Sequence, residues 1–309
     1  MRFHMGPARQ VDQGLKGLRA APPGPVAALL CDGALMAAAS ARWALRLGAA
    51  ALVVIGPDAA LRRAAAAAQD LGLSPAALVP VPAGPVGRDA APAWLAALAP
   101  ALDGRWVLPL FNGEFPVFPW CESRGLADLA AFQEGERRRG VGGWVVDMHA
   151  PGLAAAAEAD DPDWAPPGRA LYDLGGCFAL TGAPEPWEAE GAGPVPPEAP
   201  RLYGGVGWRF QERFARPPRL DRTAFFRAFA GMTPDETFRL GDPKADGLSG
   251  AWHRSPTMAV MSFRTARALL AQPEMAENPP ELGWSGARSW GWSSGELLDA
   301  GVIEPGQWF

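Results

Sequence analysis

The sequence predicts an α/β protein in which a mostly parallel sheet is flanked by helices and followed by an aromatic-rich C-terminal extension. Three observations carry this. Short apolar runs alternate with helical patterns from residue 26 to residue 110. The runs lack polar alternation, as strands buried on both faces do. Tryptophan and phenylalanine thicken after residue 200.

The elements follow in order. Pro22, Pro23 and Pro25 close a leader over residues 1–25. Residues 26–31 form a first buried strand, and Asp32-Gly33 a turn. Residues 35–47 read as a helix with Arg42 and Arg46 on one polar face and Gly48 at its C-terminus. Residues 51–55 are a second strand, closed by Gly56-Pro57. Asp58 suits the cap of a helix over 59–71, which Gly72 ends. A third strand over 78–81, a helix over 91–102 and a fourth strand over 105–110 complete a βαβ alternation with right-handed crossovers. A helix over 125–139 ends in Arg137-Arg138-Arg139, a basic last turn that complements the helix dipole. Residues 143–148 are a further strand. Residues 151–200 are rich in Pro, Gly and acids and read as a loop-dominated insertion with a short ordered piece at 170–180. Beyond them come a strand over 257–263, a helix over 265–271 and a docked aromatic tail, with Trp290, Trp292 and Trp308 as its surface or lid residues. The expected division is an α/β domain over 26–200 and a C-terminal subdomain over 201–309.

Composition excludes several function classes. Lys plus Arg is 28 against 33 for Asp plus Glu, a net charge of −5, so no basic surplus exists for a nucleic-acid backbone. Cys31, Cys121 and Cys177 are odd in number and form no CxxC pair, which fits reduced thiols in a cytoplasmic protein. The first residues do not read as a signal peptide, and no run approaches the ~20 apolar residues of a transmembrane helix.

Common catalytic motifs are missing. The sequence has no GxGxxG after the first strand, no P-loop, no GxSxG elbow and no HExxH. In a parallel sheet, ligands bind beyond the C-terminal strand ends. That rule singles out Asp32, Asp58, Asn112 and Glu114. Asp147 and His149 end a later strand and are candidates for a general base; a histidine there also serves as a hydrogen-bonded structural residue. Trp252 and His253 form a polar and aromatic cluster.

The stretch Trp106-Val107-Leu108-Pro109-Leu110-Phe111-Asn112-Gly113-Glu114-Phe115, continuing through an apolar-Pro segment to a helix, resembles bacterial family 2 glycosyltransferases of the subgroup with Asp-x-Asp-Glu-Phe after a strand. Trp144-Val145-Val146-Asp147-Met148-His149 resembles that family's apolar-Asp-Met-Tyr strand, and Trp43-Ala44-Leu45-Arg46-Leu47-Gly48 its Trp-His-x-x-x-Gly. The resemblance spans about residues 26–150. It implies a GT-A-like, Rossmann-type fold, a nucleotide-sugar donor, an acceptor hydroxyl, and a divalent metal (Mg²⁺ or Mn²⁺) held by the paired aspartates. Here those aspartates correspond to Phe111 and Gly113, neither of which binds a metal, and Glu114 and Asn112 remain beside them. The family's nucleotide-contacting Arg/Lys-Asn-Glu corresponds to Cys31, Asp32 and Gly33, and its second-strand polar loop to Gly56-Pro57-Asp58.

Two readings follow. In one, the chain is a diverged transferase: Asp32, Asp58, Asn112 and Glu114 line the donor crevice, Asp147 or His149 takes the acceptor proton, and Trp252 and His253 lie on the acceptor side. In the other, it is an inactive relative that binds a partner protein, with its thirteen tryptophans as core and interface anchors. An unrelated α/β function is the third possibility.

Overall fold

The computed structural model describes residues 18, 21–149, 170–172, 176–181, 207–212, 222–234, 255–264 and 288–308. Its strands are β1 (Val26–Leu30), β2 (Ala51–Gly56), β3 (Leu78–Pro82), β4 (Trp106–Phe111), β5 (Glu114–Val117), β6 (Gly140–His149), β7 (Leu171–Tyr172), β8 (Gly176–Thr181), β9 (Gly207–Glu212), β10 (Arg222–Arg227), β11 (Met258–Ser262) and β12 (Arg288–Ser289). Its α-helices are α1 (Ala37–Arg46), α2 (Asp58–Asp70), α3 (Ala91–Leu98), α4 (Leu126–Gly135) and α5 (Ser294–Asp299).

The large sheet runs β12-β7-β6-β10-β4-β1-β2-β3, and β11 bridges β5 and β6. Strand β1 is parallel to β2 and β4, and β2 is parallel to β3. Strand β10 is antiparallel to both β4 and β6, while β11 is parallel to β6. Strands β1, β2, β3, β4, β6 and β11 therefore all point the same way, and their C-terminal ends form one edge. A separate hairpin-like pair joins β8 to β9.

Alternating residues of β1 enter two different cores, which is why its sequence is apolar throughout. Ala27 and Leu29 pack with alanines of α1 and α2, whereas Val26, Ala28 and Leu30 pack with Trp94, Leu95 and Leu98 of α3. The outer strand β3 carries Pro80 and Pro82. Prolines on an edge withhold the donors that would recruit another strand. Pro109 sits within β4, but β10 meets β4 at Trp106 and Val107 and has diverged by that point. No ladder is interrupted there on the β10 side.

Several sequence-based boundaries shift. Asp58 is the first residue of α2 and Pro57 occupies the cap position, so Asp58 complements the helix dipole rather than capping. Pro100 turns the end of the expected 91–102 helix into a 3₁₀ segment, Ala99–Ala101. Helix α4 ends at Gly135, and Arg137 adopts φ 56. The basic cluster at 137–139 therefore follows the helix rather than forming its last turn. Strand β6 starts three residues earlier than the pattern indicated, and β5 and β10 are additional strands. The expected helix over 265–271 lies outside the described residues.

The C-terminal segment is pinned onto the turn before α4. Ser294 donates its N–H and its hydroxyl to Glu122, and Ser294 Oγ accepts the Trp120 N–H. Arg124 lies between the rings of Trp120 and Trp308, 4.8 Å from each centroid. Trp290 and Trp308 are buried and Trp292 is half-buried, so the expected surface position does not hold for the first two.

Candidate functional site

The site grows from the loop after β1 and the turn after β4. Asn112 is fully buried, at 0% exposure. Its Nδ2 donates to Asp32 Oδ1 at 3.0 Å, to Gly33 O at 3.1 Å and to Leu35 O at 3.0 Å. Its Oδ1 accepts the Asp32 N–H at 3.2 Å. One amide thus holds the whole 32–35 loop against the end of β4. The amide nitrogen carries two hydrogens, so its three acceptors share them.

The turn itself is closed from three sides. Glu114, 2% exposed, accepts the Phe111 N–H on Oε2 at 2.9 Å. Gly113 adopts φ 87, a left-handed conformation that favours glycine. Its N–H donates to Ser40 Oγ of α1 at 2.9 Å, and its carbonyl accepts the Phe263 N–H at 2.9 Å. The turn is therefore tied to α1 on one side and to the segment after β11 on the other.

That segment delivers a cation. The Arg264 guanidinium carbon lies 3.8 Å from the centroid of the Phe111 ring. Its Nη2 is 3.9 Å from Asp32 Oδ2. The Arg264 N–H donates to Ser262 Oγ at 3.3 Å. A guanidinium stacked on an aromatic face keeps its fork of donors in a fixed plane.

Pairing extends the edge further. Ser262 of β11 is the register partner of both Glu114 in β5 and Asp147 in β6. The three backbones form one line across adjacent strands. His149 is the partner of Leu171 in β7. Asp58 is exposed, at the end of β2 on the same edge. Between β2 and β1 the 83–86 loop crosses the strand ends, with Ala83 N–H on Gly56 O and Val86 N–H on Cys31 O.

The sequence-derived candidates thus fall into groups. Asp32, Asn112 and Glu114 meet directly around one turn. Asp147 and His149 share the edge by backbone position, and Asp58 stands one strand further along it. Trp252 and His253 lie outside the described residues. Sequence reasoning missed Arg264 and Ser40. Nothing local marks them, and only the pairing of β11 beside β5 and the packing of α1 bring them in.

The paired-carboxylate metal centre implied by the resemblance does not fit. Phe111 offers an apolar ring and Gly113 no side chain, and the Glu114 carboxylate is turned onto a backbone N–H of its own turn. Divalent cations of this class need several oxygen ligands. Among the described residues, no group of three His, Cys, Asp or Glu side chains could hold a metal ion. No helix among them is long and apolar enough to cross a membrane.

No protein-family model, curated protein or solved structure matches the chain.

Proposed function

We propose that the chain is a GT-A-like relative of the family 2 glycosyltransferases, and that its strand-end crevice takes the diphosphate of a nucleotide sugar for transfer to an acceptor hydroxyl. The observation that carries this reading is the convergence of Asp32, Asn112, Glu114 and Arg264 at the ends of β1, β4 and β11. Open parallel sheets bind ligands at such an edge. A guanidinium there suits a phosphate. Asp147, in line with Glu114 and Ser262, is the base proposed to take the acceptor proton, with His149 as its alternate, and Trp252 and His253 are proposed for the acceptor side.

A second reading has its own support. Asn112 and Glu114 direct their polar atoms into their own loop and turn. Such a crevice binds without turning over, as in an inactive relative that serves as a binding or scaffold module.

The test is the melting temperature of the purified chain with millimolar UDP, GDP, CDP or TDP, each with and without Mg²⁺ or Mn²⁺. A ligand at 100 times its Kd stabilises the folded state by about 2.7 kcal/mol. One nucleotide is expected to raise the melting temperature by several degrees. No shift with any of them overturns the donor-site reading. Release of nucleoside diphosphate from the matching nucleotide sugar then separates a transferase from a binding module.

A further inference from the structure

We infer that Arg264 stands in place of the divalent metal in this crevice, so that the chain takes a diphosphate with no metal ion. This rests on the crevice being the diphosphate site, as proposed above. The chemistry of the residues at the metal positions carries it. Phe111 has no donor atom, Gly113 has no side chain, and Glu114 is bonded to the Phe111 N–H. A diphosphate nevertheless needs positive charge beside it.

The fold supplies that charge at the position the metal ligands have vacated. Arg264 lies over the very ring that replaces the first aspartate, 3.8 Å from its centroid. Stacking orients the guanidinium, and the Arg264 N–H on Ser262 Oγ fixes the backbone that delivers it. The contact with Asp32 is at the long end of an ion pair, 3.9 Å, with the two side chains 23% and 35% exposed. A pair of that length and exposure is weak. A phosphate offers the same fork two parallel, shorter, charge-assisted bonds. An arriving diphosphate therefore takes Arg264 from Asp32 Oδ2, while Asp32 Oδ1 keeps its bond to Asn112. Asp32 acts as a resident competitor for the cation.

The experiment is titration calorimetry of the full chain with pyrophosphate and with UDP, GDP, CDP and TDP, in EDTA and again in Mg²⁺ or Mn²⁺. The variants are Arg264→Gln, Arg264→Lys and Asp32→Asn, each with its ligand-free melting temperature measured alongside. Wild type is expected to bind equally with and without metal. Arg264→Gln is expected to lose tenfold to hundredfold in affinity, the loss of a charge-assisted phosphate contact, and Arg264→Lys to recover part of it. Asp32→Asn is expected to bind more tightly than wild type, because the competitor is gone while its bond to Asn112 persists. That variant keeps the inference testable if Arg264→Gln fails to fold. Binding seen only with metal, or unchanged affinity in a folded Arg264→Gln, overturns the inference and leaves the crevice reading standing. An Asp32→Asn affinity equal to or below wild type also overturns it. No binding under any condition overturns both. Pyrophosphate binding without any preference for a nucleoside diphosphate assigns the site to free diphosphate instead of a nucleotide.

Discussion

Replacing Asn112 by alanine removes the amide that clasps the 32–35 loop to the end of β4. Three N–H donations are lost: the two Nδ2 hydrogens, shared among Asp32 Oδ1, Gly33 O and Leu35 O, and the Asp32 N–H that Oδ1 accepts. At about 1 kcal/mol each, net of water, the sum is about 3 kcal/mol. Residues 32–35 are only half-buried, so water satisfies part of what is lost. The expected cost is therefore about 2–3 kcal/mol. Asn112→Asp is expected to cost more than Asn112→Ala. An ionised carboxylate accepts only, and here it would face Asp32 and two carbonyls. Urea unfolding followed by tryptophan fluorescence reads both variants, with the m-value checked so that midpoint shifts report stability. If Asn112→Ala falls within about 0.5 kcal/mol of wild type, or if Asn112→Asp is the milder change, the amide is not the clasp of this loop.

Three further outcomes are expected. Gly56→Ala puts a methyl group 2.7 Å from both Cβ and the carbonyl oxygen of Cys31; backbone cannot swing aside as a flexible side chain does, so a loss of about 2–4 kcal/mol in urea unfolding is expected, and an unchanged midpoint contradicts the close approach of β2 to β1. The Cys121 thiol is pushed up to about 12 by burial first and by the neighbouring Glu122 second, from an ordinary value of 9.0. The folded state holds that proton longer than the unfolded state, so its contribution is intact below about pH 9 and is lost as pH rises from there towards about 12; iodoacetamide should label Cys121 at neutral pH only after unfolding, as peptide mass spectrometry would show. Glu122→Ala removes both acceptors of Ser294; cleavage within residues 288–308 under limited proteolysis should accelerate, and an unchanged digestion pattern would show that the aromatic contacts of Trp308 hold the segment alone.

What the sequence disclosed depended on whether the decisive interaction was local. Strands β1, β2 and β4 were legible because each is a short apolar run, as strands buried on both faces need, and β3 because its apolar run stands between turn signals, although at the sheet edge Pro80 and Pro82 are exposed. Strand β5 was not, since Glu114-Phe115-Pro116-Val117 pairs with Ala259–Ser262 of a distant segment and has no alternation of its own. Strand β10 was hidden likewise: Phe225 and Phe226 belong to the general thickening of aromatic residues after residue 200, although their segment runs antiparallel between β4 and β6. The candidate site shows the same division. The strand-end rule pointed to Asp32, Asn112 and Glu114 from the order of elements alone. The bond between Asn112 and Asp32, 80 residues apart, could not be read that way. Nor could Arg264, which reaches the site only because β11 lies beside β5. The resemblance matches Gly113 to a lost aspartate and leaves Asn112 beside it, yet the two together form a tight turn, with Gly113 at φ 87 and Asn112 holding the loop after β1.

The most direct test of the crevice is hydrogen–deuterium exchange of the wild-type chain, in EDTA, with and without each of the four nucleoside diphosphates. Slowed exchange is expected at amides within 31–35, 111–115 and 262–264, the three segments that meet around Asp32, Asn112 and Arg264. Protection confined to other parts of the sheet, or none with any nucleotide, would contradict a diphosphate site at these strand ends.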